Sequence, residues 1–192
     1  MNATIVLIGP MCAGKSSTAR LLAERFGLKC IELDELRWGY YREIGYDEEM
    51  AALLKSSKAG LLERASYWKP FEAYAVERVV QDYKNCVLDF GAGNAVFEDE
   101  ALFTRVQQAL APVEHVILLL PSPDLDASTA VVNTRFAKLL AEVAGTVNPE
   151  ALLLNEHFVK HPSSRRLAKM VIYTEDKTPK EVCDEIMKRI GR

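Results

Sequence analysis

Apolar positions along the chain fall into two rhythms. Residues 3–8, 29–33, 85–90, 114–120 and 170–174 are short, nearly unbroken runs rich in Val, Ile and Leu, the length and composition of buried strands. The fourth carries Val116-Ile117-Leu118-Leu119-Leu120 with no polar alternation, as a central parallel strand covered on both faces requires. Between these runs the apolar residues recur at helical spacing, over 16–26, 47–58, 71–83, 99–110, 124–143 and 150–159, and in a closing helix to Ile190. Punctuation agrees with that division. Gly27, Pro112 and Gly145 stop helices, Pro70 suits a helix start, and Thr178-Pro179-Lys180-Glu181 is a capping box with proline at the first helical position. Five strands alternating with helices predict an α/β domain whose parallel sheet carries helices on both faces, with ligands beyond the carboxyl ends of its strands. The whole chain, 1–192, reads as one domain with a helical insertion over about 35–84 and a lid region over about 124–160.

The first strand runs directly into Gly9-Pro10-Met11-Cys12-Ala13-Gly14-Lys15-Ser16, the G-x-x-x-x-G-K-S spacing of a P-loop. Gly9 and Gly14 permit backbone angles that let successive N–H groups converge on phosphate oxygens. The helix that follows, through Ser17, adds its N-terminal dipole. Lys15 places a full charge at the β- and γ-phosphates, and Ser16 offers a hydroxyl to a Mg²⁺ ion bridging them. This makes the predicted architecture a three-layer P-loop NTPase fold, and it makes ATP with Mg²⁺ the expected cofactor pair.

Other chemistry-bearing residues sit at predicted strand ends. Asp34 closes the second run, where its carboxylate could orient a hydroxyl acceptor or cap the following helix. Glu32, two residues earlier and so on the same side of a strand, could hold Mg²⁺ or face solvent. Asp89 ends the third run as a Walker B acid would, or caps the Gly91-Ala92-Gly93 turn. Arg37 lies among Trp38, Tyr40 and Tyr41, which read as an acceptor pocket or as core. Arg135, Lys160, Arg165 and Arg166 in the late helical region could close over phosphates or form a solvated face. His157 and His161 stand four apart, but without an H-E-x-x-H pattern and with Pro162 adjacent they read as a solvated helix end.

Composition narrows the function classes. A formal net charge of −3 lacks the positive field that nucleic-acid or membrane-surface binding needs. Cys12, Cys30, Cys86 and Cys183 form no C-x-x-C pair, so free thiols in a reducing compartment are expected. No run approaches the length of a membrane span. The expectation is a cytoplasmic enzyme, monomeric or weakly dimeric, acting on a small molecule.

The stretch from Gly9 through Phe26-Gly27-Leu28 and on to Ile31-Glu32-Leu33-Asp34-Glu35 resembles the shikimate-kinase-like small-molecule kinases of the nucleoside-monophosphate-kinase group. Where that family has D-x-D this chain has Glu32-Leu33-Asp34, and where it has G-G-G it has Gly91-Ala92-Gly93. The family's R-x-P is similar to Lys160-His161-Pro162, and an F-R-x-x-E segment finds no arginine in register within 71–77. The resemblance implies transfer of the ATP γ-phosphoryl group to a hydroxyl. It casts Lys15, Asp34 and Arg135 as catalytic, Gly9 to Ser17 as the nucleotide loop, and Asp34, Arg37, Gly91, Ala92, Gly93 and Lys160 as the acceptor wall. Ser16, Glu32 and Asp89 are its metal ligands. Shikimate is the best single named acceptor. A nucleoside or nucleotide kinase, and a P-loop ATPase or regulatory switch, are the alternatives.

Overall fold

A computed structural model describes residues 4–56 and 61–191. Five strands, β1 (Ile5–Ile8), β2 (Lys29–Glu32), β3 (Cys86–Asp89), β4 (His115–Leu120) and β5 (Met170–Tyr173), form one parallel sheet in the order β2-β3-β1-β4-β5. All four residues of β1 are fully buried, and from Val116 on β4 is buried as well. β3 is buried along its length too, so the apolar runs mark the three inner strands of the sheet. Helices α1 (Lys15–Phe26) and α10 (Pro179–Arg189) pack together on one side. On the other side, α5 (Lys69–Asp82) packs against α2 (Leu33–Glu43) and α6 (Glu100–Leu110).

Helix boundaries follow the caps read from the sequence. Gly14 and Gly27 bracket α1 in the left-handed conformation, and the Leu28 N–H returns to the Ala23 carbonyl at 2.9 Å. The Asp99 side chain caps α6, and both halves of the Thr178–Glu181 capping box form at α10.

The predicted insertion contains α2, α3 (Glu48–Ser56), α4 (Leu61–Ser66) and α5; positions 57–58 of the helix expected over 47–58 lie outside the described residues. One boundary differs from expectation. β2 stops at Glu32 and α2 begins at Leu33, so Asp34 lies in a first helical turn rather than at a strand end. Leu33 extends the apolar run of β2 because it is buried as a helical residue, which an apolar run alone does not distinguish.

The second helical segment comprises α7 (Leu125–Ala144), started by the Asp124 side chain and stopped by left-handed Gly145, and α8 (Pro149–Lys160), capped by Asn148. The two pack on each other, and α8 also reaches α4 and the short 3₁₀ turn Ala92–Ala95. Helix α9 (Ser163–Leu167) leads into β5. No helix among the described residues is long and apolar enough to cross a membrane.

Candidate active site

The phosphate loop emerges from the carboxyl end of β1. Gly9 adopts φ +143°, and a Cβ there would meet the Leu119 carbonyl oxygen of β4 at 2.5 Å. Only glycine fits, for backbone strain and for space. Cys12 also takes a positive φ, +61°, turning the loop so that α1 starts at Lys15. The Lys15 ammonium is buried and donates to the Pro10 carbonyl at 2.8 Å. Burial pushes its pKa down, against the opposing pull of the Asp89 and Asp34 carboxylates.

Asp89 ends β3 between Leu7 of β1 and Glu32 of β2. It is buried, and burial raises its pKa despite a hydrogen bond from Ser16 and the nearby Lys15 charge. Its Oδ1 finds no hydrogen-bond partner among the described residues. A buried carboxylate oxygen in that state costs free energy unless a cation or donor joins it. Glu32 is differently placed. Arg20, one helical turn beyond Ser16 on α1, donates to Glu32 Oε1 from Nη2 at 2.7 Å and from Nε at 2.9 Å. Of the two carboxylates expected at a cation, Glu32 is thus held by arginine, and Asp89 is the one with an open oxygen.

On the other side of the loop lies a cleft of about 560 Å³ lined by Arg37, Trp38, Tyr41, Trp68, Lys69, Glu72 and Phe158 among others. The glycine turn after β3 passes close to its carboxylates. A Cβ on Gly91 would lie 2.5 Å from Asp34 Oδ1, and one on Gly93 would lie 2.5 Å from Glu72 Oε1. Arg37 donates to Asp34 at 3.0 Å and stacks its guanidinium over Trp38 at 4.7 Å. Lys69 is buried, donating to Glu72 at 2.7 Å and to the Gly93 carbonyl at 3.1 Å, with the Phe97 and Phe158 rings at 5.4 and 5.5 Å.

Lys69 and Glu72 were not among the sequence candidates. The spacing sought at Phe71 lies three residues earlier, as Trp68-Lys69-Pro70-Phe71-Glu72, with lysine for arginine and tryptophan for phenylalanine. The cleft therefore carries a buried cation beside Gly93.

Several other sequence candidates separate. Arg135 on α7 sits at the rim of the loop, its Nη1 at 3.5 Å from the Cys12 carbonyl. Lys160, expected in the acceptor wall, is instead held by Asp126 and Glu156 at 2.8 and 2.7 Å and does not line the cleft. Arg165 donates to the Pro123 carbonyl, and Arg166 pairs with Glu100 over the Phe103 ring. Tyr41 belongs to an aromatic cluster with Trp38, Tyr46 and Phe71, and Tyr40 donates to Asp82. The histidines are not a solvated helix end: His157 and His161 are half-buried, and His157 Nε2 lies 2.6 Å from Glu98 Oε1.

Asn155 is a further residue that the sequence did not point to. Asn155 of α8 is fully buried and accepts from the Met11 N–H of the phosphate loop at 2.8 Å. Its amide donates to Asn133 of α7 at 3.0 Å. Its only sequence signal is a lone asparagine on the apolar face of a helix, which does not say what it touches.

The family model for shikimate kinase matches residues 11–191. A shikimate kinase from Chromohalobacter salexigens is 29% identical, covering 98% of this chain and 92% of its own. Another, from Pseudomonas putida, is also 29% identical, covering 97% of this chain and 95% of its own. A shikimate kinase from Acinetobacter baumannii, solved in complex with shikimate, shares the fold with a TM-score of 0.64 at 21% identity, over 99% of this chain and 93% of that one. With a family model that matches nearly the whole chain, the chain belongs to the shikimate kinase family, ATP-dependent kinases that phosphorylate a hydroxyl of a small molecule.

Proposed function

We propose that the acceptor is shikimate or a close relative, a small ring bearing several hydroxyls and one carboxylate. The observation that carries this reading is the pairing of opposite charges along the glycine turn. Asp34 lies against Gly91, while Lys69, buried, lies against Gly93. A molecule seated there meets a carboxylate that accepts from a hydroxyl and an ammonium that takes an anionic group. Asp34 orients the acceptor oxygen, and Arg37 holds Asp34 in place. Lys69 grips the acceptor's carboxylate with a point charge rather than a planar fork.

On the donor side, Lys15 and the backbone N–H groups of residues 12–17 hold the ATP phosphates, and Arg135 reaches them from the rim. The open Asp89 oxygen beside Ser16 fits Mg²⁺, which when bound supplies positive charge to the phosphate oxygens. The α7–α8 pair is the proposed lid, with Asn155 joining it to the loop.

The test is ADP formation from Mg-ATP with shikimate, with a panel of nucleosides and nucleotides, and without acceptor, using K15A as control. Shikimate-dependent turnover lost in K15A is the expected result. Turnover only with another acceptor replaces shikimate and leaves the kinase; equal ADP release with and without every acceptor overturns the role of Asp34.

A further inference from the structure

The segment after the 3₁₀ turn and the end of α8 meet in a group of ligating side chains outside the kinase machinery. Glu98, His157 and His161 each offer one ligand atom, and these atoms all lie within 4.8 Å of one another. His157 is on the last turn of α8 and His161 is the residue that caps it, so one helix end presents both imidazoles, 5.2 Å apart between ring centres. Glu98 comes from the opposite wall and is already within hydrogen-bond distance of His157, at 2.6 Å. We propose that these three residues form a binding site for a divalent transition-metal cation of the zinc class.

The chemistry of the donors selects the class. Two imidazole nitrogens and one carboxylate oxygen suit Zn²⁺ or Co²⁺, whereas Mg²⁺ and Ca²⁺ take oxygen donors. Ligands at about 2.0–2.1 Å from a tetrahedral centre stand roughly 3.3 Å apart, so the Glu98–His157 pair opens slightly and the wider separations, within 4.8 Å, close around the ion. Water completes the set, since both histidines are half-buried and Glu98 is exposed. The Ser163 N–H donates to His161 Nδ1 at 3.3 Å, a bond long enough to yield to a cation. Burial lowers the His161 pKa, which favours the neutral ring that ligates.

The charged groups that face the cluster are Lys69 from α5 and Arg166 from α9. Both oppose a second cation, but each is already paired, with Glu72 and Glu100. Lys69 lies between the rings of Phe97 and Phe158, neighbours in sequence of Glu98 and His157. A bound ion therefore ties the acceptor-side wall to the end of α8.

The experiment uses the chelator-treated full chain. Co²⁺ absorption and Zn²⁺ competition are followed at pH 7.5 and 5.5 in the wild type and in E98Q, H157Q and H161Q. One equivalent of Co²⁺, displaced by Zn²⁺ but not by Mg²⁺, is expected, with each substitution weakening affinity by at least about tenfold. Affinity falls at pH 5.5, where imidazoles protonate. Zn²⁺ raises the melting temperature of the wild type and not of the variants. Basal ADP formation with Mg-ATP is unchanged by the substitutions, which shows that the variants fold. The chain has three histidines, so the wild type carries its own control. In NMR spectra Zn²⁺ shifts the ring signals of His157 and His161 and leaves His115 in place. Binding unaltered by all three substitutions, or Zn²⁺ that leaves the two histidine signals unmoved, overturns the site.

Discussion

The nucleotide loop and the neighbouring cleft are built from different materials. From Gly9 to Ser16 the surface facing the nucleotide is mostly backbone, fixed by glycine geometry, by the Leu119 carbonyl behind it and by the start of α1. The acceptor side is made of side chains from α2 and α5, set against a glycine turn and held in ion pairs. A backbone site tolerates few alternatives, because a wrong residue strains the chain itself. A side-chain site can be retuned by substitution. The comparison teaches that, on the proposed reading, transfer chemistry and acceptor choice reside in separate parts of the fold.

Four substitutions test that division. The largest effect is expected from K15A. Loss of the ammonium lowers kcat/KM by on the order of 10³-fold, since a preorganised charge on the phosphates is removed. Its melting temperature holds or rises, because a buried amine has left. A large fall in melting temperature with little loss of turnover would show that the pairing with Pro10 is structural.

Next comes G91A, which puts a methyl group where Asp34 Oδ1 now lies, 2.5 Å away. Displacing the carboxylate should cut kcat/KM for the acceptor by about 100-fold and leave the KM for ATP unchanged. An equal rise in both KM values would mean that the two sides are not separable.

K69R is more discriminating than deletion, since removing the ammonium strands the Glu72 carboxylate. If Lys69 meets an acceptor carboxylate, the guanidinium's planar grip lowers the acceptor KM by severalfold, about 1 kcal/mol. An unchanged KM in steady-state assays would remove Lys69 from the acceptor wall.

The smallest of the four is N155L, which leaves the Met11 N–H without its acceptor and costs about 1–3 kcal/mol of stability in denaturant unfolding.

Acid titration adds a gentler probe away from both walls. The hydrogen bond with His157 holds the Glu98 pKa down at about 2, against an ordinary 4.5. A depressed carboxylate stabilises the fold above pH 4.5 and loses that contribution as pH falls through its folded value. His161, with its pKa lowered by burial, adds to the loss below about pH 6.5, because protonation opposes folding. Both signs point the same way, so E98Q flattens the acid limb of stability against pH. Partial exposure of Glu98 keeps the effect modest and salt-dependent.

Legibility in the sequence follows the same division. The nucleotide loop was readable because its determinants are contiguous and backbone-driven. The strand runs were readable because β1 and β4 are buried on both faces. Asp34 was found, but in the wrong element, because Leu33 prolongs an apolar run whether it ends a strand or begins a helix. Lys69 and Glu72 were not found. Their significance lies in where the chain folds them, against Gly93, and a search anchored on arginine and on Phe71 passes over Trp68-Lys69. Nor does spacing reveal that Glu98, far from His157 in sequence, closes the histidine pair into a group of three.

The strand order acts as a ruler across this chemistry. The nucleotide loop rises from β1, Asp89 and the glycine turn from β3, and Asp34 from just past β2, which are consecutive neighbours in the sheet. Adjacent strands stand about 4.8 Å apart, so the backbones of β1 and β2, which lead into the loop and into α2, are about two strand spacings apart, roughly 10 Å. Backbone hydrogen bonds set that interval, and no exchange of side chains along the wall alters it. Side chains along the wall can therefore change in shape and charge while the spacing of the backbones that carry them stays fixed.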